Sequence, residues 1–322
     1  MSTRPNLAVD AEAVGRAHER VRTFLPPTRL IRCKSVVDRQ VFLKLETEQP
    51  TGSFKVRGAL SNLLMQPFNA KGFVTASAGN HGLGVAWAAQ QSRREEPVTI
   101  FVPQSAPTRK IARLQAFRVD LRIVGGTFDD ALRAAKAFES ETGATFIDAY
   151  DDPLTAAGQG TLAIEVFAQL ESAGAMIIPV GGGGLISGSA AWVKAKHPET
   201  RIIAVQPEAS PSLAESIRQG RALLEYPAGP TLADGLAGGI GQIVFDHRDL
   251  IDEIVSVPEA DILAAIRSLH YDDGIRAEAS AAITRAALDL PASSRWPDPV
   301  VCVLTGSNID DDVFAGIVAQ EE

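Results

Sequence analysis

The stretch Met176-Ile177-Ile178-Pro179-Val180-Gly181-Gly182-Gly183-Gly184-Leu185 reads as a buried strand, a glycine turn and a helix start. Its apolar run suits a parallel strand covered on both faces. Four consecutive glycines cost chain entropy that a plain turn would hardly spend. At a helix start they leave several N–H donors unobstructed, which suits a phosphate. No Lys-Ser/Thr pair follows, so the loop is not a P-loop. The acidic residue that a dinucleotide site needs about twenty positions on is missing, with Gln206 near that place. A lone phosphate monoester fits better.

Outward from this unit the chain alternates. Strands are expected at 41–45, 72–75, 98–102, 121–124 and 145–147, and in a second series at 176–180, 202–205, 254–257 and 300–304. Helical patterns fall at 80–90, 108–117 and 128–142, then at 156–172, 185–196, 211–218, 259–270, 278–288 and 311–319. Asp10 is placed to cap a first helix running to Phe24. This βαβ rhythm implies two α/β domains with parallel sheets and a seam near residues 148–153. Ligands of such sheets bind outside the carboxyl ends of the strands.

Composition narrows the class. With 322 residues, 45% hydrophobic and 22% charged, the chain has an ordinary globular composition. A formal net charge of −8 argues against nucleic acid or an anionic membrane as partner. Cys33 and Cys302 are too far apart in sequence to suggest a metal spacing or a disulfide framework. Cys302 reads as a small core residue. Residues 1–10 lack the apolar core of a signal peptide, and no run approaches the length of a membrane helix. A reducing cytoplasm is the expectation.

Three further places carry chemistry. Thr51-Gly52-Ser53-Phe54-Lys55-Val56-Arg57-Gly58-Ala59-Leu60 sets a lysine beside an aromatic, after a turn and at a helix start. Burial and a helix N-terminus both favour the neutral amine, which can form a Schiff base with an aldehyde. The alternative is a snorkelling lysine with Arg57 as its exposed companion. Thr75-Ala76-Ser77-Ala78-Gly79-Asn80-His81-Gly82 follows a strand. It reads equally as a nest for a small carboxylate or as a plain turn capped by Ser77 or Asn80. Thr305-Gly306-Ser307-Asn308 offers a hydroxyl at a strand's carboxyl end, either for a heterocycle nitrogen or as a cap.

Together with Ala157-Gly158-Gln159-Gly160-Thr161 and Ala233-Asp234-Gly235, these segments resemble the fold-type II pyridoxal-phosphate enzymes, in the threonine/serine dehydratase and serine racemase branch. They stand in that family's order and cover nearly the whole chain. The resemblance implies two doubly wound parallel-sheet domains of the tryptophan synthase β kind, with pyridoxal 5′-phosphate in the cleft between them. Residues 1–70 and 150–322 would form the large cofactor domain, and 71–149 the small substrate-loop domain. Lys55 would hold the cofactor covalently, with Phe54 beside the ring. Asn80 would reach the 3′-oxygen, Gly181, Gly182, Gly183, Gly184 and Leu185 the phosphate, and Thr305 the ring nitrogen. Ser77, Ala78, Gly79, Asn80 and His81 would bind the substrate carboxylate. Asp234 and Glu278 fall where the family keeps acidic residues near substrate and cofactor.

The implied reaction is dehydration and deamination of a β-hydroxy amino acid, such as L-threonine, L-serine or a hydroxyaspartate-like relative, to a 2-oxo acid and ammonia. Cysteine-synthase-type β-replacement, amino-acid racemisation and a non-catalytic ligand-binding role are the alternatives. Ala78 stands where the racemase has a serine, so Lys55 is expected to act on one face alone. Gln206 replaces an acidic metal ligand of several relatives, so no metal is expected unless Glu208 compensates. Arg276 is unexpected, either a solvated charge near a helix cap or a contact to a polar substrate side chain. The resemblance also implies a homodimer, and no regulatory domain after the catalytic portion.

Overall fold

The computed structural model describes residues 9–106 and 108–319. The expectation about the N-terminus therefore lies, through residue 8, outside the described residues. Among the described residues there are ten strands: β1 (Leu30–Arg32), β2 (Val41–Leu45), β3 (Phe73–Ala76), β4 (Val98–Pro103), β5 (Asp120–Val124), β6 (Thr145–Phe146), β7 (Ala175–Pro179), β8 (Arg201–Pro207), β9 (Glu253–Val257) and β10 (Val300–Leu304). One sheet has the order β5-β4-β3-β6 and is wholly parallel. The other has the order β1-β2-β10-β7-β8-β9 and is parallel except where β1 pairs antiparallel with β2.

The larger sheet is covered on both faces. Ile177 and Cys302 enter one apolar cluster, while Met176, Ile178, Val301 and Val303 enter another on the opposite side. Successive strand residues point to opposite faces, so this split gives the doubly wound architecture expected of the sequence. Cys302 is fully buried in the middle of β10, as a core residue.

The helices are α1 (Ala11–Val21), α2 (Lys55–Met65), α3 (Asn80–Gln91), α4 (Thr108–Gln115), α5 (Phe128–Thr142), α6 (Pro153–Gln169), α7 (Gly184–Lys196), α8 (Ser212–Gln219), α9 (Gln242–Asp246), α10 (Glu259–Tyr271), α11 (Ala279–Ala286) and α12 (Asp311–Val318). Asp10 caps α1 by accepting from the Ala13 N–H at 2.7 Å. The helix stops at Val21, short of Phe24. Neither β1 nor α9 was expected, because three and five residues carry no readable period.

Arg57 is not the exposed companion of a surface lysine. It is fully buried on α2, where Glu46 accepts from its Nε at 2.7 Å and Glu165 from its Nη1 at 2.6 Å. Lys44, also buried, donates to Glu165 at 2.7 Å. Burial alone would raise the Glu46 carboxyl, but the charge and hydrogen bonds of Arg57 hold it down at about 2. Two cations and two anions thus neutralise one another beneath the helix that begins at Lys55.

Candidate active site

Lys55 is the first residue of α2. Gly52 has a φ of +73°, and a Cβ there would stand 2.7 Å from Asn308 Oδ1, so the turn before the lysine requires glycine. Phe54 N–H donates to the Thr305 carbonyl at 3.0 Å, and Ser53 bridges to Gly306. These bonds join the lysine's turn to the loop after β10. Lys55 Nζ lies 5.2 Å from the centre of the Phe54 ring and donates to the Ala149 carbonyl at 3.0 Å. Burial pushes its amine down, the charges of Asp148 and Glu278 partly oppose this, and it titrates at about 8.

The glycine loop follows β7 and is packed from behind. A Cβ on Gly181 would stand 2.5 Å from the Gly235 carbonyl, one on Gly182 2.2 Å from the Tyr150 ring, and one on Gly184 2.6 Å from the Tyr150 carbonyl. Gly183, at φ +90°, would meet Val244 at 2.3 Å. No side chain fits at any of the four. Among the described residues, none of the backbone N–H groups from Gly181 to Leu185 donates to a protein acceptor. A row of unclaimed donors at the N-terminus of α7 fits a phosphate. Tyr150, whose ring faces Gly182, is next in sequence to the carbonyl that receives Lys55. Lysine and loop therefore share one wall, and the residues present fit the cofactor implied by the sequence.

The turn after β3 brings the other sheet to the same place. Ser77 Oγ accepts from the Gly79 N–H at 3.1 Å. Asn80 Nδ2 donates to Glu278 at 2.9 Å, and Asn80 Oδ1 accepts from Asn308 Nδ2 at 2.6 Å. Glu278 also accepts from the Asn308 N–H at 3.1 Å. Burial and the neighbouring charge of Asp234 raise the Glu278 carboxyl to about 7. His81 is buried with Nε2 3.1 Å from the Ile147 carbonyl. Burial and then Lys55 lower the imidazole to about 4, so it is neutral and Nε2 carries the proton donated to that carbonyl. Ala78 packs against the core of this half.

Asp234 is largely exposed and pairs with Lys110 of α4 at 3.2 Å. Both residues line a pocket of about 170 Å³ with Glu278, Asn308, Asp310 and Val313. Thr305 Oγ1 is 3.4 Å from the Ser280 carbonyl. Arg276 and Gln206 border the site but are engaged by protein partners. Arg276 donates to the Ile309 carbonyl and to Asp311 at the start of α12, so it is a charge near a helix end. Gln206 Oε1 accepts from the Leu213 and Ala214 N–H groups and so holds the first turn of α8. Among the described residues no three His, Cys, Asp or Glu side chains group as metal ligands.

The structure adds Asp148, Ala149, Tyr150, Asn308 and Arg113 to the site. Arg113 of α4 donates to Asn308 at 2.7 Å and to the Thr51 carbonyl at 3.2 Å, tying the smaller sheet's half to the lysine turn. The seam expected near residues 148–153 was the one signal pointing to the first three. Asn308 already stood in the quoted Thr305–Asn308 turn, although no role was given to it.

The family model described as "Pyridoxal-phosphate dependent enzyme" matches residues 21–306. The chain is 37% identical over 310 residues to an L-threonine ammonia-lyase of Geobacter sulfurreducens, covering 94% of this chain and 76% of the relative. It is 39% identical over 292 residues to an L-threonine ammonia-lyase of Thermotoga maritima, covering 88% and 71%. Among solved structures it superposes on a threonine deaminase from T.th. with a TM-score of 0.87 at 35% identity, over 94% of this chain and 99% of that one. On maize serine racemase the TM-score is 0.88 at 29% identity, over 95% and 96%. With the lysine, the glycine cradle and the two parallel sheets in place, the chain belongs to the pyridoxal-phosphate dependent enzymes.

Proposed function

We propose that the chain eliminates water from a β-hydroxy amino acid, L-threonine or L-serine first, and releases a 2-oxo acid and ammonia. The threonine ammonia-lyase relatives support this reading over most of the chain. The observation that carries it is the Lys55 amine, buried at a helix start, depressed to about 8 and aimed at the wall it shares with the glycine cradle.

In this reading Lys55 holds the cofactor, Gly181 to Gly184 and Leu185 its phosphate, Asn80 its 3′-oxygen and Thr305 its ring nitrogen. Phe54 packs against the ring, and Glu278 orients Asn80 from behind. Pyridoxal phosphate, when bound, supplies the electron sink for the carbanion. Ser77, Ala78, Gly79, Asn80 and His81 receive the substrate carboxylate, and a neutral His81 serves through its backbone. Asp234 borders the side-chain end of the pocket. Lys55, half of it neutral at about pH 8 when free, would remove the α-proton as general base. Ala78 carries no proton, so the opposite face lacks a partner there and elimination outruns racemisation.

Residues 71–149 form the substrate-loop unit in this proposal, and 1–70 with 150–322 the cofactor unit. That division agrees with β3 to β6 forming a sheet of their own. We assign the protein to the cytoplasm as a homodimer, with no nucleic-acid or membrane partner. Among the described residues no helix is long and apolar enough to cross a membrane.

A panel of L- and D-threonine, L- and D-serine and β-hydroxyaspartate isomers, read by 2-oxo acid formation, tests the reading. L-threonine or L-serine is expected to lead. Sulfide-dependent product outpacing 2-oxo acid, or racemisation matching it, would replace the reading with β-replacement or racemisation.

A further inference from the structure

The segment Ala157-Gly158-Gln159-Gly160-Thr161 takes no part in the chemistry above, yet it lies in α6, between the two helices that begin at the proposed anchors. Helix α2 begins at Lys55 and α7 at Gly184. Toward α2, a Cβ on Gly58 would stand 2.7 Å from the Thr155 carbonyl oxygen. One on Gly158 would stand 2.8 Å from the Arg57 carbonyl oxygen. Toward α7, a Cβ on Gly160 would stand 2.5 Å from the Gly188 carbonyl carbon, and one on Gly188 2.0 Å from the Ala156 carbonyl oxygen. Backbone meets backbone on both sides, so rotating a side chain relieves neither contact. Gln159 Oε1 also accepts from the Gly58 N–H at 3.1 Å, and Thr161 Oγ1 from Arg57 at 3.2 Å.

Both crossings lie one turn beyond an anchor. Gly58 follows Lys55 by three residues and Gly188 follows Gly184 by four, which is about 4.5 and 6 Å along a helix axis. We propose that α6 is a spacer. Its glycine-to-backbone contacts hold the lysine helix and the phosphate helix at the separation where one cofactor molecule reaches both ends. The inference rests on the reading of Lys55 and the glycine loop as anchors. A two-point grip is strong only when the spacing matches, because a second anchor out of reach adds nothing. An added methyl on Gly188 has to open its contact from 2.0 Å to an ordinary 3.4 Å or more. That displacement exceeds what a hydrogen-bonded cradle absorbs.

The test compares apoprotein affinities for pyridoxal 5′-phosphate and for pyridoxal, which lacks the phosphate. The wild-type chain is expected to prefer the phosphorylated form strongly. In Gly188→Ala and Gly160→Ala that preference falls at least tenfold, while pyridoxal binding stays within about threefold. Gly15→Ala in α1, whose Cβ would meet nothing within 4 Å, keeps the wild-type preference. Gly58→Ala in a Gln159→Ala background is a milder variant read in the same way. A general loss of stability would weaken both ligands alike, so the ratio separates a spacer from a merely structural contact. Folded variants with an unchanged ratio, or an equal fall in Gly15→Ala, overturn the spacer alone. So does a failure of all the spacer variants to fold, since a displaced site predicts folded protein. A wild-type chain without the preference overturns the anchor assignment and the spacer with it.

Discussion

Lys55 Nζ donates a 3.0 Å hydrogen bond to the carbonyl oxygen of Ala149, on the segment that links the smaller sheet to α6. The amine is thus aimed by main chain and held in a largely enclosed site beside the charge of Asp148. Burial dominates, so apoprotein amine labelling against pH is expected to show Lys55 with a midpoint of about 8, against roughly 10.4 for a free lysine. Asp148→Asn removes a charge that favours the ammonium while keeping the oxygen that accepts from Tyr150 and Asp151. Its midpoint should therefore be lower still. An ordinary lysine midpoint in the wild type would contradict burial of the amine.

Glu278 gives a stability prediction of the opposite kind. Its carboxyl is raised to about 7 from 4.5, chiefly by burial, so the folded chain holds a proton that the unfolded chain has released. Stability from this group therefore falls as pH rises from 4.5 to 7 and is level outside that window. Glu278→Gln loses this slope and keeps only a constant offset. Urea melts of both apoproteins at several pH values check it, and parallel pH curves would contradict the raised carboxyl.

Arg57→Met removes one partner of a buried cluster and leaves two carboxylates facing Lys44 alone. Breaking such a pair costs about 3–5 kcal/mol. Urea unfolding is expected to show a loss of that order, and a loss below about 1 kcal/mol would mean that the cluster is hydrated.

Ala78→Ser restores a hydroxyl at the position where the racemase branch has serine. The ratio of racemisation to ammonia release from L-serine is expected to rise at least tenfold. A ratio unchanged in a variant that still releases ammonia would move the missing proton carrier elsewhere.

The parallel strands were legible because strands such as β7 and β10, buried along their whole length, are apolar runs ending in glycine or hydroxyl turns. The placement of Lys55 at a helix start and of the glycine loop between β7 and α7 was legible from the same local chemistry. Arg57 was open to misreading because its partners Glu46 and Glu165 are set by packing, the latter 108 residues away. Ala149 was invisible since it acts through a carbonyl, which every residue has. The fate of Gln206 was half legible: its neutrality was plain, but its bonds to the first turn of α8 needed coordinates.

The most direct measurement is the release of 2-oxo acid and ammonia from L-threonine and L-serine by wild-type protein and by Lys55→Ala, each loaded with pyridoxal phosphate. The account predicts equimolar products from the wild type, with a loss of at least a thousandfold in the variant. Lys55→Ala turning over within tenfold of wild type, or a cofactor-loaded wild type inert toward every β-hydroxy amino acid, would contradict it.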